Sequence, residues 1–516
     1  MKGDKKPEKE VLEHNPLFKR WKKGDIRVAL VYPNAYVGGI ANIGIQQIYA
    51  EVNSTENFVC ERFYGDVFDC RRSVETGAYL KDFDIALFSV QFEEDMFKAA
   101  KIASELTNPV KIAGGPCVLE NPLPLSPYFD YFYVGEIDGE VNRVLEVAMS
   151  GGEEGCLIKS RTAVEMSESG EKLRVRKAEL NSHLKKEIIG SGVYGRCFLL
   201  EVGRGCKRSC SFCVVRQIYR PCRWRKLELL LDVARSADVN RIALISPSVT
   251  DHPNAKDLLS ELVNMGFEVS PSSMRADTID EELADLLVAC GQKSITIAPE
   301  AGSEKLRRVL RKGIDEETVL SSAEIIRERG IKNVKMYYMI GIPGENKEDV
   351  NEILRLTEKV KKLGLKVSVS VNPLVPKPHT PLQFAPFGGM FEEFQKGFQR
   401  GKDFRSSGLA KEVLKVLKVL RERSKTLERG FRKIRVRFSI ERGEEFAIQT
   451  IVSRGSVDVG RYLTLGKREV LRKFPHLLME LNFERQPWEF VDHGYSFKRL
   501  RTEYEKLMEI AGVCAV

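Results

Sequence analysis

The sequence predicts an α/β protein in three parts: an N-terminal doubly wound parallel sheet, a central partial (β/α)6 barrel and a small α+β C-terminal region. Two stretches of the chain alternate short apolar runs with amphipathic helical segments. The composition then changes after about residue 390. With 516 residues, of which 43% are hydrophobic and 30% charged, the chain has the size of about three globular domains, and bulk disorder is excluded.

The first part, residues 25–152, contains the strand-like runs IRVALVYP, FDIALFSV, VKIAGGP and FDYFYVG. Helical segments separate them, which is typical of a doubly wound parallel sheet. Residues 153–191 are polar and charge-rich, and we predict that they form a linker.

The second part, residues 192–390, contains six further strand-like runs: CFLLEVGRG, RIALISPSV, EVSPSSMRA, SITIAPEAG, NVKMYYMIGIPG and KVSVSVNPLVP. Five or more helical segments lie between them, so we predict a partial barrel. In such barrels the chemistry lies at the carboxyl ends of the strands, and the unusual residues of this part follow those ends.

The third part, residues 391–516, begins with a strongly basic segment. Between residues 401 and 440, 13 Lys and Arg stand against four Asp and Glu, an excess equal to the net charge of +9 of the whole chain. The pattern predicts a helix followed by the strand RKIRVRFSI. The apolar face of that helix would carry Leu409, Val413, Leu417 and Leu420. A solvated helix packed on the barrel and a surface for a polyanion such as RNA both fit this pattern.

The N-terminus and the cysteine count indicate a cytoplasmic protein without a membrane span. The first 25 residues are highly charged and lack the apolar stretch of a secretory signal. The longest uncharged run, residues 28–50, contains Asn, Gln, Gly and Pro, which favour a strand and a turn over a membrane helix. Eleven cysteines, an odd number, indicate thiols or metal ligands rather than a disulfide framework.

Three cysteines directly follow the first barrel strand. The sequence GRGCKRSCSFC places Cys206, Cys210 and Cys213 with three and two residues between them. Three thiolates on one loop can each bind one iron of a 4Fe-4S cluster, whose fourth iron then has no protein ligand. A closed structural cluster or zinc site would need a fourth ligand, for which Cys222 is the candidate.

This triad, with Phe212 before its last cysteine, resembles the signature of the radical S-adenosylmethionine (SAM) superfamily. The resemblance implies a 4Fe-4S cluster whose open iron is chelated by SAM, and reductive cleavage of SAM to a 5′-deoxyadenosyl radical that abstracts hydrogen from a C–H bond. It also implies an electron donor of the ferredoxin or flavodoxin type. The protein would supply binding, orientation and exclusion of water.

The same resemblance implies SAM contacts at later strand ends. Arg275, in MRAD, would hold the SAM carboxylate, and Glu300, in APEAGS, would accept from the ribose hydroxyls. Gly341 and Ile342, in MIGIPGE, would lie against the adenine. For each residue the alternative is a purely structural role, such as an exposed arginine or a Gly-Pro turn.

One element of the family pattern is missing. The second barrel strand ends in SPSVTD rather than in the GGE-type turn that binds the SAM amino group. Ser246 and Ser248 are the candidates to replace that contact.

The whole chain is similar to a group of uncharacterised radical SAM proteins with a cobalamin-binding-like N-terminal domain and a basic C-terminal extension. The stretches that carry this similarity include VALVYPNAYVGGIANIGIQ, IYRPCRWR, SMRADTIDEELADLL and PWEFVDHGYS. Cobalamin domains often ligate cobalt through a histidine in a DxHxxG loop. Because only His14 precedes position 183, the sequence argues against His-ligated cobalamin and leaves binding without a histidine open. A second cluster, as in methylthiotransferases, would have to use Cys60, Cys70 and Cys117, for which burial in a core is the alternative.

We therefore predict a radical SAM enzyme that modifies a C–H bond of a macromolecular substrate, an RNA or a ribosome-associated target bound through residues 401–440. One alternative is a cobalamin-dependent radical SAM methyltransferase acting on a small molecule or lipid, and another is a nucleic-acid-binding protein with a structural cluster. His379 follows the sixth barrel strand, where it would either act at the barrel mouth or have no role. Asp492 and His493 are candidates to reach back to the site from the C-terminal region.

Overall fold

The computed structural model describes residues 12–180, 188–271, 274–389 and 408–513, with only the backbone described at 408–412. A two-residue strand, β1 (Glu13–His14), comes first. The predicted α/β class is confirmed, with parallel strands in both large sheet regions.

The first part is built on a six-stranded sheet. Its strands are β2 (Ile26–Tyr32), β3 (Phe58–Tyr64), β4 (Ile85–Ser89), β5 (Val110–Gly114), β6 (Tyr131–Tyr133) and β7 (Leu157–Lys159). The helices are α1 (Tyr36–Gly39), α2 (Ile43–Asn53), α3 (Glu93–Ser104), α4 (Pro116–Glu120) and α5 (Val141–Met149). The strand order is β3-β2-β4-β5-β6-β7, and only β7 is antiparallel. Because the order reverses between β2 and β4, a crevice opens at the carboxyl edge of the sheet.

Both faces of this sheet are covered. Along β2, Val28 and Leu30 pack into one apolar cluster, while Ala29 and Val31 pack into another. A strand buried on both faces reads as a continuous apolar run, which is how IRVALVYP appears in the sequence.

The segment expected to be a linker, residues 153–191, carries regular structure where it is described. It adds β7 to the first sheet, and it pairs with both ends of the chain. Its elements are β7, α6 (Ser160–Ser169), β8 (Leu173–Arg174) and the beginning of β9 (Ile189–Gly192). β9 pairs with β1 and with β10 (Gly195–Arg196), and β8 pairs with β20 (Val491–Asp492). The segment thus connects the three parts by hydrogen bonds, and the domain limits drawn from the sequence stay predictions.

The second part contains all six predicted barrel strands. They are β11 (Phe198–Glu201), β14 (Arg241–Ile245), β15 (Glu268–Pro271), β16 (Ser294–Glu300), β17 (Asn333–Ile340) and β18 (Lys366–Pro373). Two short strands, β12 (Gly203–Arg204) and β13 (Arg223–Trp224), pair after β11. The helices are α7 (Val214–Ile218), α8 (Leu227–Arg235), α9 (Ala255–Asn264), α10 (Glu281–Ala289), α11 (Glu304–Val309), α12 (Glu316–Glu328) and α13 (Lys347–Lys362). The parallel strands form the groups β11-β14-β15 and β16-β17-β18.

The basic segment adds a further parallel strand to the barrel. β19 (Arg437–Ile440) pairs with β18, with Arg437 opposite Ser368. The helix before it, α14 (Gly408–Lys433), buries three of the four positions on its predicted apolar face, Val413, Leu417 and Leu420. The side chain of the fourth, Leu409, lies outside the described residues.

The remaining helices complete the C-terminal region. They are α15 (Gly443–Ser453), α16 (Val457–Gly460), α17 (Lys467–Lys473) and α18 (Phe497–Ala511). The largest apolar cluster includes residues of all three parts, so the parts share one core. Within the described ranges, no helix combines the length and apolar character needed to cross a bilayer.

Candidate active site at the barrel mouth

The three cysteines lie on a loop that starts and ends at the β12–β13 pair. Residues 205–222, here called the triad loop, connect these strands. A Cβ at Gly203 would lie 2.4 Å from the ring of Trp224. Gly205 has φ +78°, and a Cβ there would lie 2.5 Å from the carbonyl oxygen of Tyr219. The glycines of GRGC therefore allow the end of the triad loop to pack closely against its beginning at the β12–β13 pair, here called the base of the loop.

Arg208 fixes the first half of the triad loop. Its Nε lies 3.0 Å from Oδ2 of the buried Asp251, and its Nη1 lies 2.9 Å from Oδ2 of Asp277. Burial alone would raise the pKa of Asp251, but hydrogen bonds and charge from Arg208 hold this pKa below its usual value. Because Asp251 follows β14 and Asp277 follows β15, two strand ends hold the loop.

Ser211 ties the second half of the triad loop to α11. Its backbone N–H donates to the carbonyl of Leu310 at 3.0 Å, and its hydroxyl donates to the carbonyl of Val309 at 2.8 Å. These carbonyls belong to the end of α11, where a helix leaves acceptors without partners in its own turns. The triad loop thus supplies hydrogen-bond donors to the last carbonyls of α11, and these bonds hold the second half of the loop in place.

The three cysteines lie near one another in the triad loop, where the backbone N–H of Cys213 donates to the carbonyl of Cys210 at 3.4 Å. Burial, with a smaller contribution from the neighbouring sulfurs of Cys210 and Cys206, raises the pKa of Cys213 to about 11. Burial, and then Cys210, also raises the pKa of Cys206. Across the described ranges, no three His, Cys, Asp or Glu side chains converge tightly enough for a single metal ion. Three thiolates that each bind a different iron of a 4Fe-4S cluster do not need to converge in that way, so the donor set fits such a cluster. Its assembly would have to displace the thiol protons.

The cysteines considered for a second cluster are not brought together. Cys60 packs into the apolar cluster on one face of the first sheet, whereas Cys70 and Cys117 pack into the cluster on the other face. Burial raises the pKa of all three thiols. Cys222 lies near the start of the triad loop, because a Cβ at Gly205 would lie 3.1 Å from the Cα of Cys222. Burial, and then Cys206, raises the pKa of the Cys222 thiol.

Arg275 and Glu300 both contact Lys312 at the barrel mouth. Nη2 of Arg275 donates to the carbonyl of Lys312 at 2.6 Å, and its Nε lies 2.8 Å from Oδ1 of Asp277. Glu300, the last residue of β16, has φ +70°, an uncommon conformation for a residue other than glycine. Its Oε1 accepts from Nζ of Lys312 at 3.1 Å. The charge of Arg275 reaches Cys206, where it opposes the larger effect of burial on the thiol pKa.

Phe212 and Ile342 lie in the same apolar cluster, together with Ala301. Gly341 has φ +79°, and a Cβ there would lie 3.0 Å from the Cα of Gly388. The close approach of the chain around Gly388 therefore accounts for a glycine at this position without any ligand.

Ser246 lines a cavity of about 370 Å³ between the first sheet and the barrel, here called the interdomain cavity. The first sheet contributes Ser89 and Gly114, from the carboxyl ends of β4 and β5, and the barrel contributes Glu201 besides Ser246. The cavity therefore lies at the crevice that the reversed strand order opens. Ser248 is buried and lies three residues before Asp251, whose backbone N–H donates to the carbonyl of Ser248 at 3.3 Å.

An ionic network beside this cavity gave no signal in the sequence. Arg204, in GRGC, donates from Nη1 to Oδ2 of Asp138 and from Nε to Oε1 of Glu201, each at 2.6 Å. Glu136 accepts from Nη1 of Arg223 at 2.9 Å. These partners come from different parts of the chain, so only the tertiary fold reveals that the first part holds the base of the triad loop.

His379 and His493 meet in the interior, with their ring centroids 4.6 Å apart. Nε2 of His379 lies 2.9 Å from the carbonyl oxygen of Glu120, and Nε2 of His493 lies 2.8 Å from that of Leu119, both at the end of α4. Burial lowers the pKa of His379 to about 3, so the ring is neutral. The pair thus joins the barrel and the C-terminal region to the first part, while Asp492 pairs with Arg174 at 3.0 Å.

Comparison with known proteins identifies the family of the chain. A model of the radical SAM superfamily matches residues 200–357, and a model of the N-terminal region of radical SAM proteins matches residues 44–169. The uncharacterized protein MJ0966 of Methanocaldococcus jannaschii is 34% identical over 455 residues, which cover 85% of this chain and 91% of that protein. The ribosomal protein uS12 methylthiotransferase RimO of Aquifex aeolicus is 28% identical over 31% of this chain and 40% of its own length. The structure of the cobalamin-dependent SAM radical enzyme OxsB is similar with a TM-score of 0.50 at 15% identity, over 94% of this chain and 80% of OxsB.

The chain belongs to the radical SAM superfamily, as its cysteine motif predicted, and it is an enzyme that uses a 4Fe-4S cluster and SAM. When bound, these groups supply the reductive cleavage of SAM, for which enzymes of this class need a reductant. Cys206, Cys210 and Cys213 are the thiols that would hold the cluster, and Arg208 and Ser211 hold the loop that carries them. A barrel mouth shielded from water would strengthen the interactions that orient SAM.

Proposed function

We propose that this radical SAM enzyme modifies a C–H bond of a macromolecular substrate, an RNA or a ribosome-associated target. The observation that carries the proposal is an exposed basic face on α14. Its residues recur every three or four positions, opposite the buried apolar face. They are Lys418, Arg421, Lys425, Arg429 and Arg432.

Among the residues that the structure describes, few acidic partners neutralise this basic face. Arg421 pairs with Glu444 at 2.8 Å, and Arg432 lies 3.8 Å from Glu428. Exposed pairs of this kind contribute little and exchange readily for other anions. A row of cations on one helix face is the arrangement that neutralises a phosphate backbone. The name of the relative RimO, which refers to a ribosomal protein, supports a target of this class.

The test is the salt dependence of RNA binding by the full-length protein. In the variant with Lys418→Gln, Lys425→Gln and Arg429→Gln, the slope of log K against log salt for a tRNA should become shallower by about 2 to 3, because each lost phosphate contact removes about 0.7 to 0.9 from it. A matched control replaces three exposed arginines elsewhere, Arg235, Arg472 and Arg501, by Gln. An unchanged slope in the first variant, or the same change in both, would remove RNA from the proposal.

The substrate itself would be identified by mass. RNA and ribosomal proteins from cells with and without the gene should differ in one modified species, and that difference should disappear with Cys210→Ala. We propose a cytoplasmic location and a donor of the ferredoxin or flavodoxin type. The proposed SAM contacts are Phe212, Ser246, Ser248, Arg275, Glu300, Gly341 and Ile342.

A second candidate is a cobalamin-dependent radical SAM methyltransferase acting on a small molecule or lipid. The interdomain cavity favours it, because the cavity lies at the carboxyl edge of the first sheet and opens toward Ser246. No histidine is among the described residues that line the cavity, so cobalt would be held without a histidine ligand. Gly114→Leu would place a side chain into the cavity, since the nearest atom to a Cβ there is 3.8 Å away. Retention of corrinoid absorbance after mixing with hydroxocobalamin, and its loss in Gly114→Leu, would support this candidate, and no retention would exclude it.

A further inference from the structure

We propose that Lys312 is a positioning residue for SAM, because it holds both side chains expected to bind the SAM carboxylate and ribose. The inference rests on the proposed roles of Arg275 and Glu300, and it is independent of the nature of the substrate.

The place of Lys312 is fixed by the end of α11. The N–H of Arg311 donates to the carbonyl of Arg308 at 3.0 Å, and the N–H of Lys312 donates to the carbonyl of Arg307 at 2.9 Å. This pair of bonds, with φ +49° at Arg311, is the Schellman ending of a helix. Glycine usually occupies the left-handed position, so an arginine there is held by other contacts. One of them is the 2.8 Å ion pair between Arg311 and Glu503 of α18.

From this fixed place, Lys312 uses two different groups. Its backbone carbonyl accepts from Arg275, and its Nζ donates to Glu300 at 3.1 Å. The Lys312 side chain is only 10% exposed and that of Glu300 only 15%, so this charge-assisted bond is shielded from bulk water. The positive charge of the ammonium also balances the negative charge of the Glu300 carboxylate. The backbone of Glu300 is in an uncommon conformation.

The same helix end holds the cysteine motif. Ser211 donates to the carbonyls of Val309 and Leu310, which immediately precede Arg311 and Lys312. One helix ending therefore sets the triad loop and two proposed SAM contacts relative to one another. Loss of the Lys312 ammonium should disturb only the side chain of Glu300, because the backbone carbonyl of Lys312 that accepts from Arg275 remains.

The experiment compares Lys312→Met with the unaltered protein, both full-length and reconstituted with iron and sulfide. We expect the Kd for labelled SAM in equilibrium dialysis, and the KM for SAM in 5′-deoxyadenosine formation without substrate, to rise about tenfold. The kcat should change less than twofold, and the iron content should stay the same. Lys312→Arg should recover most of the affinity. Glu300→Gln removes the other half of the pair, so adding Lys312→Met to it should weaken SAM binding little further than Glu300→Gln alone.

The matched control is Lys359→Met, which removes an ion pair with Glu316 on the outer helices of the barrel. An unchanged Kd in Lys312→Met at full iron content would overturn the proposal, as would an equal loss in the control. If Lys312→Met does not fold, Lys312→Gln replaces it and is judged by the same criteria. Because no substrate is present, these outcomes do not depend on whether the enzyme acts on RNA.

Discussion

The guanidinium of Arg208 binds the buried carboxylate of Asp251 from within the cysteine motif, between Cys206 and Cys210. Asp251 lies after the next barrel strand, so this contact fixes the cysteines relative to the β-sheet. A cluster held only by three thiolates depends on the loop keeping its shape while SAM binds and leaves. We therefore expect the pair to affect cluster retention through the loop, without being a ligand.

Asp251→Asn keeps the shape of the side chain and removes its charge. We expect the reconstituted cluster to be lost to a chelator on the order of tenfold faster, because a buried charge-assisted pair is replaced by a neutral contact. The measurement is the decay of the iron-sulfur absorbance. Asp232→Asn, which removes an exposed pair with Arg235, should leave the decay unchanged. Equal decay rates in the two variants would contradict the role of Arg208.

Cys210→Ala should abolish both cluster assembly and 5′-deoxyadenosine formation, because one iron loses its only protein ligand. Cys222→Ala is the informative comparison, since a Cβ at Gly205, next to Cys206, would lie 3.1 Å from the Cα of Cys222. We expect Cys222→Ala to retain full iron content and SAM cleavage. Loss of the cluster in Cys222→Ala would instead indicate a fourth cysteine ligand and a closed site.

Stability should fall in mild acid because of the buried histidine pair. Burial lowers the pKa of His379 to about 3 and moves the pKa of His493 in the same direction, whereas an unfolded histidine titrates near ~6.5. Below about pH 6.5 these two histidines therefore bind protons in the unfolded chain but not in the folded chain. As the pH falls below about 6.5, the free energy of unfolding should decrease by up to about 1.4 kcal/mol per pH unit for each histidine. Above about pH 6.5 both histidines are neutral in the folded and the unfolded chain, so this loss of stability is absent.

Urea unfolding between pH 7 and pH 5 measures this slope. His379→Gln should make it shallower, whereas His14→Gln, at an exposed position, should not. An identical slope in the His379→Gln variant would show that other groups cause the acid sensitivity.

Arg454→Met should destabilise the protein by about 3–5 kcal/mol, because it leaves buried acceptors without a donor. Arg454 is 1% exposed, and burial lowers its pKa to about 9. Its guanidinium donates to four backbone carbonyls at 2.6 to 3.0 Å, those of Gln383, Ala385, Leu477 and Met479. Calorimetric Tm is the measurement, with the exposed Arg461→Met as the control, for which a change within about 0.5 kcal/mol is expected. A Tm as high as that of the control would mean that water or the backbone satisfies these carbonyls.

The alternation of apolar runs was enough to predict the two sheets, because buried parallel strands are continuous apolar segments and glycines mark the helix ends. The triad was equally visible, since its chemistry depends on local spacing. The sequence did not predict the contact between His379 and His493 or the contact of Arg208 with Asp251, because each brings together residues far apart in sequence. Nor did the charge of the segment 401–440 reveal that β19 pairs with β18, since strand partners depend on the tertiary fold.

That pairing determines how the protein can be divided. A fragment ending near residue 390 would hold every cysteine of the triad, yet it would leave the hydrogen-bonding groups of β18 uncovered along Ser368 to Val371. Bare strand edges recruit other chains, so such a fragment should self-associate. We therefore expect a stable shortened form of the enzyme to extend through Ile440, which keeps the basic helix together with the barrel.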